Sequence, residues 1–188
     1  MPPVRFPVAV AAACLALCAL SASSAPAPKN RVARGKYLVT ITHCNDCHTP
    51  FKMGPNGPEP DMTRMLSGHP QDVKLPPPPQ PQGPWVVAGY PSTAWAGPWG
   101  ISYSVNLTPD KTTGLGATSL WSEELFIKAM RTGKHFGTSR PILPPMPWQN
   151  VAQMTDEDLR AMWTYLKSIP PIKNQVPDAV LAPPPPAK

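Results

Sequence analysis

The chain has 188 residues, a length that suits one domain, and 42 of its positions are proline (30) or glycine (12), which closes long stretches to regular helix or strand. Hydrophobic residues make up 41%, enough for a small core that wants further apolar mass to pack around. Seventeen basic against eleven acidic residues give a net charge of +6 with no run of lysine or arginine, which argues against nucleic acid and suits a surface that steers an acidic protein partner.

Residues 1–25 read as a secretory signal. Arg5 supplies the positive start, Val8–Leu20 is an apolar run of 13, and the small residues Ser21-Ala22-Ser23-Ser24-Ala25 follow. A bilayer span needs about 20 residues, so an uncleaved anchor with weak membrane association is the lesser reading. A lipoprotein site at Cys14 or Cys18 is weaker still, because Leu17 stands where a small residue is wanted. Pro26 and Pro28 leave the cut between about residues 22 and 28. The predicted location is the periplasm. Removal of the signal leaves Cys44 and Cys47 as the remaining cysteines and a net charge of +5, so an exported chain would have no disulfide framework and its one C-x-x-C pair must act by itself.

Residues 29–43 have the spacing of a short helix capped by Asn30, with Gly35 inside it marking either a close helix crossing or a tolerated glycine. Residues 50–109 hold 14 of the 30 prolines, including Pro76–Pro79, together with Trp85, Trp95 and Trp99. They predict a long irregular loop region, packed rather than disordered because of its tryptophans, with a short extended piece at Ile101–Val105. A second helix is predicted over 122–132, with Ser122 as cap, Glu123 and Glu124 in the first turn, Trp121 and Phe126 as a hydrophobic staple, and Gly133 as stop. The clearest helix is 155–169, capped at Thr155 and striped by Leu159, Met162, Trp163, Leu166 and Ile169 before Pro170-Pro171. Beyond a domain at 29–175 lies a Pro-rich tail, 176–188, expected to be extended or disordered.

Cys44-Asn45-Asp46-Cys47-His48 is a C-x-x-C-H attachment signature for one c-type haem. Two thiols three residues apart at a helix start lie on one side and match the two vinyl groups on one porphyrin edge. His48, next in the chain, is then held under the ring as an iron ligand. A thioredoxin-like pair would need a βαβ alternation that is missing here. A zinc site would need about four ligands, with His43, His69 and His135 left to supply them. For the distal ligand Met146, inside the stiff Pro144-Pro145-Met146-Pro147 segment, is the first candidate. Met53, Met62, Met65, Met154, His69 and His135 are its rivals, with Met154 the nearest of them, while Met162 belongs to the core face of the last helix.

Several segments resemble the class I cytochrome c family over roughly residues 30–175, and look most like the monohaem cytochrome domains associated with bacterial periplasmic dehydrogenases. They are Arg34–Leu38, Cys44–Pro50, Leu66-Ser67-Gly68, Asn106–Asp110, Trp121–Gly133, Leu143–Trp148 and Tyr165–Pro171. The resemblance implies a small all-α fold with crossing N- and C-terminal helices and a haem crevice between loops. It implies thioethers at Cys44 and Cys47, iron held by His48 and Met146, and Asn106–Asp110 beside the haem. The chain departs from the pattern at Pro76–Pro98, a stretch richer in Pro and Trp. The function it implies is single-electron transfer rather than enzymatic catalysis, from a dehydrogenase donor to an oxidase or cytochrome acceptor. The alternatives are a haem subunit fixed in a dehydrogenase or oxidase complex, and an open-site haem enzyme using His69 or His135.

Overall fold

A computed structural model describes residues 30–78 and 85–182. The signal assigned to residues 1–25, the end of the Pro76–Pro79 run and the closing prolines Pro183–Pro186 lie outside the described residues.

Helix α1 (Arg31–Ile41) starts after Asn30, whose side chain makes no capping hydrogen bond. Its Gly35 is buried and faces α5 (Asp156–Ser168), where a Cβ would run into the Ala161 carbonyl. The glycine therefore marks a close crossing of the first and last helices. Helix α3 (Glu123–Thr132) is capped by Ser122, whose hydroxyl accepts from Leu125 N at 3.2 Å, and stopped by Gly133 in the left-handed region at φ 63°. Thr155 caps α5 in the same way, accepting from Asp158 N at 3.1 Å. The apolar stripe of α5 packs with Leu38, Val39, Leu66 and Phe126 into the main core, with Leu159 and Leu166 fully buried. Arg34 on α1 ties to Asp158 on α5 through Nε at 2.8 Å, a partly exposed pair that sets orientation more than stability.

The all-α expectation fails in the Pro- and Trp-rich half, which carries two antiparallel sheets. Strands β1 (Phe51–Gly54) and β2 (Gly57–Pro60) form a hairpin, and β3 (Val87–Gly89), β4 (Ala94–Gly97), β5 (Gly100–Tyr103) and β6 (Val180–Leu181) form a four-stranded sheet in that order. Within the long irregular region expected over 50–109, five strands of three or four residues and a 3-10 turn at Met62–Arg64 interrupt described chain that is otherwise irregular. The physical reason lies at the turns. Pro98 and Trp99 form a two-residue connection between Gly97 and Gly100, and Gly100 takes φ +103°, where a side chain would be strained and would strike the Val180 carbonyl. Trp95 and Trp99 pack here, but Trp85 is 71% exposed, against the packing expected of all three. The described part of the tail is extended: Val180 and Leu181 pair with Ile101 and Gly100 on the edge of β5.

Candidate functional site

Helix α2 (Cys44–His48) is one short helix begun at His43, which sits in the left-handed region at φ 59°. This kink swings the motif away from α1 and sets Cys44 and Cys47, three residues apart, on the wall of one cavity of about 310 Å³. Both thiols are free and half-buried. Burial pushes the Cys44 thiol up, opposed by its hydrogen bond with Thr42 Oγ1 at 3.3 Å, and burial likewise raises the Cys47 thiol. Among the described residues His43 joins no cluster that could hold a metal ion, and it pairs at the surface with Asp46 at 3.0 Å.

His48 is 7% exposed, and burial lowers its basicity so that the imidazole is neutral. Its Nδ1 lies 2.8 Å from the Val105 carbonyl. A carbonyl can only accept, so Nδ1 carries the proton and donates. Nε2 is left as a lone-pair donor to a metal, the usual arrangement for a ligating histidine fixed from behind. The carbonyl is itself held: Asn106 Oδ1 accepts from Thr108 N and Oγ1, while Asn106 Nδ2 donates to the Ile172 carbonyl at 2.8 Å.

Met146 lines the same cavity, half-buried against the core on the loop that enters the short helix α4 (Trp148–Val151). The structure therefore brings Cys44, Cys47, His48 and Met146 to one cavity from two separate segments of the chain. The rivals separate sharply. Met53 and Met62 are exposed at 69% and 59%, and Met65 and Met154 pack against the core without lining the cavity. His69 is fully buried elsewhere, its ring between Thr93 Oγ1 at 2.9 Å and the Val73 carbonyl at 3.1 Å. His135 does line the cavity, beside Arg140, and burial followed by the Arg140 charge pulls its imidazole down to about 4. Met130 and Met162 line it as well, from α3 and α5.

Sequence reasoning misses Val105, whose part is played by its backbone carbonyl, and Arg140, and reads Trp95 only as a packed side chain where it lines the cavity. The rest of the lining is mainly apolar, including Leu107, Leu115 and Phe126. Two thiols on one helical turn, a neutral imidazole held from behind and a thioether in an apolar cavity form a donor set that fits a c-type haem.

No protein-family model matches the chain. It is similar to the cytochrome subunit of fructose dehydrogenase from Gluconobacter japonicus, 30% identical over 142 residues, covering 76% of this chain and 22% of that protein. It is 37% identical over 136 residues to the gluconate 2-dehydrogenase cytochrome c subunit of Pantoea cypripedii, covering 71% of this chain and 22% of that one. It is also 29% identical over 174 residues to the cytochrome c subunit of the quinone alcohol dehydrogenase of Gluconobacter oxydans (strain 621H), covering 89% and 28% respectively. The chain thus spans 22% to 28% of the length of these relatives. These likenesses make the chain a relative of the cytochrome c subunits of dehydrogenases.

Proposed function

We propose that the chain is an exported single-electron carrier with one haem c, bonded through Cys44 and Cys47 and ligated by His48 and Met146. The observation that carries this reading is the convergence of those four side chains on one apolar cavity from distant parts of the sequence. When bound, haem c supplies a reversible ferrous–ferric couple. The residues around it supply the rest. The Val105 carbonyl orients His48, the prolines flanking Met146 limit its travel, and the apolar lining keeps water from the metal position. A filled distal position excludes small ligands, which favours electron transfer over substrate chemistry.

The electron donor in this reading is a dehydrogenase and the acceptor an oxidase or another cytochrome, in the periplasm. The relatives' names, all of them subunits of dehydrogenases, favour a second form of the same function in which the chain is fixed in a complex rather than diffusing. Size-exclusion of the native extract separates the two: a carrier elutes as a small protein below the 20.3 kDa of the unprocessed chain, a fixed subunit with its dehydrogenase.

The test of the site is spectroscopic. Protein from a host competent in cytochrome maturation should give a c-type pyridine haemochrome and keep its cofactor in acid acetone, and its ferric form should show the weak red band of sulfur-to-iron coordination. Met146→Ala should abolish that band and lower the reduction potential, since methionine ligation raises it. A Met146→Ala protein with an unaltered band would remove the distal assignment and move the reading toward Met130 or Met162; an unmodified protein without the band would favour an open site with His135 nearby.

A further inference from the structure

Residues 102–105 run directly from one side of the cavity to the other. At their start, Ser102 Oγ donates to the carbonyl of Pro144, two residues before Met146, at 2.6 Å. At their end, the Val105 carbonyl accepts from His48 Nδ1 at 2.8 Å. The same few residues of extended chain therefore hold both the loop of the distal candidate and the proximal candidate. Extended chain rises about 3.4 Å per residue, so these two attachment points are about 10 Å apart along the strand.

This segment is anchored independently of either wall. Within β5, Ser102 is paired with Trp95 of β4, and Tyr103 with Ala94. Ser104 N donates to the Thr93 carbonyl at 2.9 Å, and His69 N donates to the Ser104 carbonyl at 2.9 Å. On the opposite edge β6 pairs with Gly100 and Ile101. Ser102 is only 6% exposed, and its hydroxyl takes a second bond as acceptor from Trp99 Nε1 at 3.3 Å, which aims its proton at Pro144. The glycines around the turn make that aim possible, because a Cβ at Gly97 would meet the Trp99 ring at 2.6 Å.

We propose that β5 is a strut across the crevice and that Ser102 is a positioning residue, which holds Met146 against loss from the iron through its hydrogen bond to the Pro144 carbonyl. The proposal rests on the His48 and Met146 ligation given under the proposed function. It assigns a role to the Pro- and Trp-rich half, where the chain departs most from the cytochrome pattern. A loop fixed at Pro144 restricts where Met146 can go; a loop freed there lets the thioether leave and an external ligand enter.

The measurement is the dissociation constant of imidazole, an external ligand that must displace Met146, on the ferric haem-loaded protein, followed together with the red sulfur-to-iron band. Ser102→Ala should bind imidazole about five-fold more tightly than the unmodified protein, the effect of losing one net hydrogen bond. Ser104→Ala is the matched comparison: that serine is on the same segment, is 7% exposed, and has no side-chain hydrogen bond among the described residues. It should leave the imidazole constant within about two-fold, inside the range usual for a neutral substitution. Equal affinities in the unmodified and Ser102→Ala proteins, with the band present in both, overturn the strut and leave the ligation intact. Equal tightening in Ser102→Ala and Ser104→Ala also overturns it, as general loosening. Absence of the band from the unmodified protein overturns the Met146 ligation and the strut with it.

Discussion

Asp110 gathers four donors onto one oxygen. The backbone N–H and hydroxyl of both Thr112 and Thr113 reach its Oδ1 at 2.7–3.0 Å, closing the turn that follows Asn106–Pro109. These bonds, that of the Thr113 hydroxyl foremost, hold the carboxylate at about 2 against an ordinary 3.8. A carboxylate whose folded value is depressed contributes stability that is complete above the unfolded value and is lost as pH falls through the folded one. Asp110 should therefore support the fold fully above pH 4 and cease to do so by about pH 2. Asp110→Asn keeps the acceptor oxygen but not the charge. The stability gap between the two proteins, measured by urea unfolding, should be widest at pH 5 and close toward pH 2; a gap that stays constant with pH would show that the charge of Asp110 is not involved. Here the sequence was informative only in part. Asn106–Asp110 stood out as a segment beside the haem, but which of its atoms hold what depends on Ile172 and Asn174, more than sixty residues away. The same limit explains why Cys44, Cys47 and His48 were legible, being one local motif, while the Val105 carbonyl behind His48 was not.

Among elements, the three longer helices α1, α3 and α5 are legible, while the short α4 and the sheets are not. Helices announce themselves within a few residues: Ser122 and Thr155 cap, Gly133 stops, and α5 shows its stripe. The strands here are two to four residues long and broken by glycine and proline, too short to show an apolar alternation, and β6 pairs with β5 from far along the chain. Glycine carried a different meaning in each setting. At Gly35 it fixes the distance between α1 and α5, because any side chain there meets Ala161 backbone rather than a flexible group that could turn aside. Gly35→Ala should cost about 2 kcal/mol through overpacking, read as a lower urea midpoint with an unchanged slope. An unchanged midpoint would mean that the two helices can separate without loss, and that their crossing does not hold the core that walls the cavity.

For the molecule as a whole, the part least legible in sequence is the return of the chain after α5. After Pro170-Pro171 the sequence shows no helix or strand pattern, yet Asn174, just before the tail that begins at 176, is 6% exposed and acts as a four-way tie. Its side-chain amide donates to the Ser67 carbonyl at 2.7 Å and the His69 carbonyl at 2.9 Å, and its side-chain oxygen accepts from Gln71 N at 2.9 Å. Its own N–H donates to Thr113 Oγ1 at 3.0 Å. One residue thus joins the turn after β2, the Asp110 turn and the last segment, and so braces the frame around Val105 from outside the cavity. The described residues beyond it make fewer buried hydrogen bonds: β6 adds two paired positions on the edge of β5, Ala182 N donates to the Trp99 carbonyl, and Pro177 and Ala179 border the cavity. Removing residues 176–188 breaks a few hydrogen bonds at the edge of a sheet whose groups can then be solvated, each worth about 1 kcal/mol. Asn174→Ala instead leaves two carbonyls and one N–H without partners inside the protein, at about 1–3 kcal/mol for each group left unsatisfied. The single substitution should therefore lower the urea midpoint further than the thirteen-residue truncation. The reverse order would place the anchoring of this segment in its sheet pairing with β5, and the frame behind His48 would then depend on the edge of the sheet rather than on the buried amide.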